Sequence, residues 1–116
     1  MIWQDLLGME LDDATGCWQL MREVHSRLGL RAAPEVPDGV GYFDPIGLDW
    51  RDASRLGDVL ASDPRKTGRT SHVATVVSLD PPTVLTSALD GVGHQRPFTM
   101  HAAYASRDCG AWRVRP

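Results

Sequence analysis

The run His72-Val-Ala-Thr-Val-Val-Ser-Leu79 constrains this chain more than any other stretch. It is short, apolar and rich in β-branched residues, which suits a half-buried or buried strand and not a helix. Asp80-Pro81-Pro82 interrupts it, and Thr83-Val-Leu-Thr-Ser-Ala88 resumes the same character. Proline cannot donate to a ladder, so the break reads as a turn and residues 72–88 as a hairpin. Shorter stretches of the same kind predict strands at 58–61, 93–100 and 111–115, with Asp90-Gly91 as a turn between two of them.

Before residue 57 the period is different. Cys17, Leu20, Met21, Val24 and Leu28 recur at intervals of three and four, which places them on one face of a helix over 17–29. Thr15, or an aspartate just before it, is positioned to cap its start, and Gly29 to stop its end. Ile2, Trp3, Leu6 and Leu7 predict a short amphipathic lead-in that Gly8 ends. His25 reads as a partly exposed helix residue. Residues 31–56 carry Pro34, Pro37, Pro45 and glycines at 39, 41 and 47, which rule out long regular elements. A helical turn over 50–56 is compatible with them. The stretch 34–47, with Tyr42 and Phe43, is long for a loop and reads as a docking segment. One helix followed by meandering strands gives an α+β fold: a single domain over 1–116, its helix packed on a small antiparallel sheet of about five strands.

Composition narrows the function classes. The 116 residues suit one domain, and 42% hydrophobic with 23% charged residues is an ordinary globular balance. A net charge of -3 argues against a nucleic-acid footprint. Arg65, Lys66 and Arg69 sit beside Asp63 and read as a solvated loop. No apolar run reaches the roughly 20 residues a bilayer span needs, so no membrane insertion is expected. The first residues lack the cationic start and apolar core of a signal peptide, so the chain is expected to be made and kept in the cytoplasm. Cys17 and Cys109 are then expected to be free thiols, with Cys109 an exposed turn residue. The spacings of His94, His101 and Cys109 match no zinc pattern, and neither metal nor cofactor is expected.

Cys17 opens the predicted helix. A helix N-terminus favours the thiolate, which is the reactive form of the side chain. His72 opens a strand directly after a loop, where an imidazole can reach over a helix end packed on the sheet. Such a Cys–His pair supplies a nucleophile and a general base, and a third polar group commonly fixes the imidazole tautomer. The same residues are also compatible with a small core cysteine and a solvated strand-end histidine. Trp3 and Trp18 are candidates for lining a cleft or a partner surface.

Three segments, in order, resemble the NlpC-type cell-wall cysteine peptidases of papain-like fold, and in particular the branch found in tailed-phage tail proteins. Gly16-Cys17-Trp18-Gln19-Leu20-Met21-Arg22-Glu23-Val24 is similar to the helix start that carries the family's cysteine. Gly57-Asp58-Val59-Leu60 is similar to the Gly-Asp-Leu/Val strand that opens its sheet, and Ser71-His72-Val73-Ala74-Thr75-Val76-Val77 to the strand that carries its histidine. The resemblance implies that Cys17 is the nucleophile and His72 the base, in an acyl-enzyme hydrolysis of an amide in the peptide stem of peptidoglycan. It aligns Thr86 with the third polar residue, with His94 and His101 as alternatives. It further implies a virion tail location, tail tip or hub proteins as partners, and, alternatively, a structural assembly role on the same fold with little or no catalysis. A cytosolic amidase acting on a small amide is a third possibility. The chain departs from the family in having Gly16 where an aspartate usually precedes the cysteine, and in lacking the upstream tyrosine that helps bind the oxyanion.

Overall fold

The structure is a computed structural model that describes residues 3–13, 15–34, 42–62, 72–105 and 109–116. It is α+β. Among these residues one α-helix, α1 (Gly16–Arg27), packs on a six-stranded antiparallel sheet: β1 (Phe43–Gly47), β2 (Val59–Ser62), β3 (His72–Leu79), β4 (Pro82–Leu89), β5 (Gln95–His101) and β6 (Cys109–Val114). The strand order is β1-β6-β2-β3-β4-β5. The expected hairpin is β3–β4, with Thr75 opposite Leu85 and Val76 opposite Val84, and a bulge between Val76 and Ser78.

The sheet has six strands and not about five, because part of the supposed docking segment is a strand. Phe43–Gly47 pairs with β6, Phe43 lying opposite Val114 and Asp44 opposite Arg113. Pro45 is tolerated there because β1 is the last strand in the order and needs partners on one side only. Residues 35–41 of that segment lie outside the described residues, as do 63–71, with Arg65, Lys66 and Arg69. Cys109 was expected in a turn, but its backbone begins β6 opposite Ser62.

Pleating sorts the core into two faces, since successive residues of a strand point to opposite sides. Val59, Val73, Val77 and Leu85 face α1, where Trp18, Leu20, Met21 and Val24 pack over them. Leu60, Ala74, Val76 and Val84 face the other way, under Ala53, Ala102 and the half-buried Trp50 and Met100. The helix therefore covers one face, and the 3-10 turns Trp50–Asp52 and Ala102–Ala105 cover the other. The lead-in is also a 3-10 turn, Gln4–Gly8, with Leu6 buried beneath α1.

Both ends of α1 follow from local chemistry. Thr15 does not cap with its hydroxyl. Instead Asp12 Oδ1 accepts from the Thr15 amide at 3.1 Å and from its hydroxyl at 3.3 Å. At the other end Gly29 takes φ +70°, its amide donates to Ser26 O, and Leu30 N–H donates to His25 O. This is the double closure that a left-handed residue after a helix permits.

His25 is not partly exposed; it is fully buried. It lies four residues beyond Met21 and three before Leu28, so it shares the apolar stripe. Its Nε2–H donates to Gly57 O at 2.7 Å, which ties α1 to the entry of β2. Burial holds the imidazole below its usual pKa, and Nδ1 is left without a partner.

Candidate functional site

Cys17 is the second residue of α1 and is half-buried, its thiol free. It packs at the margin of the cluster formed by Trp18, Met21, Val59 and Val73. The first hydrogen bond across this end of the helix runs from Gln19 N–H to Thr15 O at 2.8 Å. The amide of Cys17 therefore lies ahead of the helical ladder, one of the donors that a helix start leaves over. Gly16 has a steric reason to lack a side chain. A Cβ there would lie 3.1 Å from Gln95 Cβ and 3.3 Å from Leu11 Cβ, so an aspartate could enter only by displacing both.

His72 begins β3 opposite Ser62, and Thr86 lies on the neighbouring strand. In the β3–β4 register the two are diagonal neighbours on one face, within reach of a side-chain bond. Thr86 Oγ1 lies 2.7 Å from His72 Nε2 and donates to Val73 O at 2.8 Å. A carbonyl can only accept, so the single hydroxyl proton goes to Val73 O. The imidazole must then be the donor, as its Nε2–H tautomer. Its Nδ1 makes no hydrogen bond among the described residues and keeps its lone pair. Burial pushes the His72 pKa below its usual value, which keeps the ring neutral near pH 7. Thr86 itself is 1% exposed, so water does not compete for its hydroxyl. A neutral imidazole with one nitrogen anchored and the other open is equipped to accept a proton.

The structure thus brings together two of the three residues singled out from the sequence. No hydrogen bond joins Cys17 Sγ to His72 or to Thr86. The pleat turns His72 to the face of Ala74 and Val76, while Cys17 packs on the helix side beside Val73. Both stand at the same end of the sheet, where Gln95, on β5 opposite Leu89, meets Gly16.

The alternative third residues lie elsewhere. His94 is exposed, with Nδ1 3.8 Å from Asp13 Oδ2. His101 stacks edge-on against Trp50 at 5.2 Å, and its Nδ1 accepts from the Ala103 amide. Trp18 is buried and donates from Nε1 to Pro34 O at 2.8 Å, so it is a core residue and does not line a cleft.

A second constellation was not foreseen. Asp58 is 2% exposed and accepts from Arg113 Nε at 2.9 Å, Arg113 Nη2 at 2.7 Å and the Arg55 amide at 3.0 Å. Its backbone continues the β2–β3 ladder, Val76 N–H donating to Asp58 O at 2.8 Å. The sequence carried one signal for this, an aspartate directly before an apolar strand, where a carboxylate is buried only when paired. The partner, 55 residues later, had no local mark. Among the described residues no helix is long and apolar enough to cross a membrane. No family model, curated protein or solved structure matches this chain.

Proposed function

We propose that this chain is an NlpC-type, thiol-dependent amide hydrolase acting on the peptide stem of peptidoglycan, carried in the tail of a tailed phage. The resemblance of the segments around Cys17, Gly57 and His72 supplies the family. The observation that carries the reading is the hydrogen bond between Thr86 and His72. It involves the residue that the resemblance aligned with the third catalytic group, and it leaves Nδ1 as the free base. In this reading Cys17 Sγ comes round the start of β3 to His72, Nδ1 takes its proton, and the thiolate attacks the amide carbonyl. The Cys17 amide donates to the resulting oxyanion. The imidazolium returns its proton to the leaving amine, and a water, deprotonated by the same nitrogen, releases the acyl group. With the upstream tyrosine absent, one backbone donor bears the oxyanion. A missing donor costs roughly 10²–10³ in turnover, so this is a slow enzyme.

A second reading, a structural tail tip or hub subunit on the same frame, is favoured by two observations: Cys17 Sγ makes no hydrogen bond to His72, and the pleat turns His72 to the face of the sheet opposite the one on which Cys17 packs. One experiment separates the two. Cys17 is labelled with iodoacetamide across pH 5 to 9 in a Cys109→Ser background, with and without His72→Ala. Rapid labelling below neutral pH that collapses in His72→Ala supports the hydrolase. Slow labelling that ignores His72 leaves the structural subunit.

A further inference from the structure

At the end of α1 remote from Cys17 a cleft of about 390 Å³ opens between the helix terminus, the entry of β2 and the last residues of β6. Along a 12-residue helix the two ends are roughly 18 Å apart, so this cleft is separate from the thiol. Arg31, Arg55, Arg113 and Arg115 line it, and among the described residues that line it Asp58 is the one acidic side chain. Leu30, Leu56 and Val114 supply apolar wall.

The four cations are not equivalent. Arg113 is clamped by two hydrogen bonds to the buried Asp58, and its Nη2 also donates to Ser54 Oγ at 3.4 Å, which fixes its guanidinium and leaves Nη1 without a hydrogen bond among the described residues. Arg115 is offset by Asp44, at 2.7 Å. Arg31 lies over the Tyr42 ring at 4.9 Å, a contact that orients the cation, and no carboxylate pairs with it among the described residues. Arg55 makes no side-chain hydrogen bond among the described residues. Two cations without a counter-charge among the described residues and one immobilised guanidinium thus converge on one concavity, in a chain whose net charge is -3. Arg31 stands just past a helix C-terminus, which favours a cation. Arg55 and Arg113 come from other elements, so the helix end does not account for the convergence.

We propose that this cleft binds a small organic anion, with a phosphate or carboxylate head against Arg31, Arg55 and the Nη1 of Arg113, and an apolar body against Leu30, Leu56 and Val114. Guanidinium groups suit such heads because their paired N–H donors match two oxygens. The volume is that of a small-ligand site.

The test is isothermal titration at low salt with phenyl phosphate, benzoate and the neutral benzamide. The proteins are wild type, the double variant Arg31→Gln/Arg55→Gln, and Arg51→Gln, which sits outside the cleft on Trp50. Both arginines of the double variant are exposed, and an unchanged unfolding midpoint verifies its fold. Saturable binding of phenyl phosphate or benzoate is expected, weakened at least about tenfold in the double variant and by added salt, and unchanged in Arg51→Gln. The stronger of the two anions identifies the head group. Binding of benzamide as tight as that of the anions, anion binding indifferent to the double variant, or no saturable anion binding would each overturn the proposal.

Discussion

Replacing Thr86 with valine removes one hydroxyl and keeps the shape. Thr86 is 1% exposed, so the packing around its methyl group survives and the loss is confined to two hydrogen bonds, to His72 Nε2 and to Val73 O. A net buried hydrogen bond contributes about 1 kcal/mol, and an orphaned buried partner costs more. His72 is only half-buried, so its freed Nε2–H can find water by a small rotation. The two bonds together predict a destabilisation of about 2 kcal/mol, roughly a thirtyfold shift in the unfolding equilibrium. Urea unfolding followed by tryptophan fluorescence measures this. Nitrogen-15 spectra of the histidine ring read the second consequence: wild type shows the Nε2–H tautomer of His72, and Thr86→Val shows a mixture. In the hydrolase reading the variant also labels more slowly at Cys17, because the base is no longer held in one tautomer. A valine variant within 0.5 kcal/mol of wild type, with the tautomer unchanged, would refute the assignment of Thr86 as the anchor of His72.

Two further outcomes follow from buried charge. His25 and His72 both have their pKa pushed below the ordinary 6.5 by burial, so the unfolded chain binds protons that the folded chain refuses. Stability is therefore full above about pH 6.5 and falls as the pH drops below it, by at most about 1.4 kcal/mol per unit for each ring, until the folded-state values are reached. Urea midpoints at pH 7.5, 6 and 5 test this, and a flat profile contradicts it. The carboxylates of Asp5, beside Arg27, and Asp90, beside Arg96, are held low and act only in the separate window below about pH 4. Asp58→Asn removes the counter-charge of Arg113 and turns one of the two acceptor oxygens into an NH2 group, which cannot accept from the guanidinium or from the Arg55 amide. Breaking a buried pair costs about 3–5 kcal/mol, reduced here to about 2–3 because the Arg113 side chain is 28% exposed and can rehydrate. Chemical denaturation gives the value, and a loss under 1 kcal/mol would mean that the pair is dispensable.

Elements that the sequence determined are those whose cause is local. The stripe Leu20, Met21, Val24 made α1, Gly29 closed it, and the two β-branched runs around Pro81 and Pro82 made the central hairpin. The family resemblance aligned Thr86, with His94 and His101 as alternatives, as the third polar group beside His72, and a two-strand register suffices to bring Thr86 and His72 together. Everything that needed a distant strand was decided by tertiary structure. Phe43–Gly47 is a strand only because β6 offers it a ladder, and its Pro45 and Gly47 concealed it. His25 reads as a surface residue until Gly57 supplies a carbonyl for its ring. Arg113 pairs with Asp58 across half the chain. The relation of Cys17 to His72 is of this second kind. Each stands where its own element puts it, but the face on which α1 packs determines how thiol and imidazole can meet, and that choice belongs to the whole core and not to any motif.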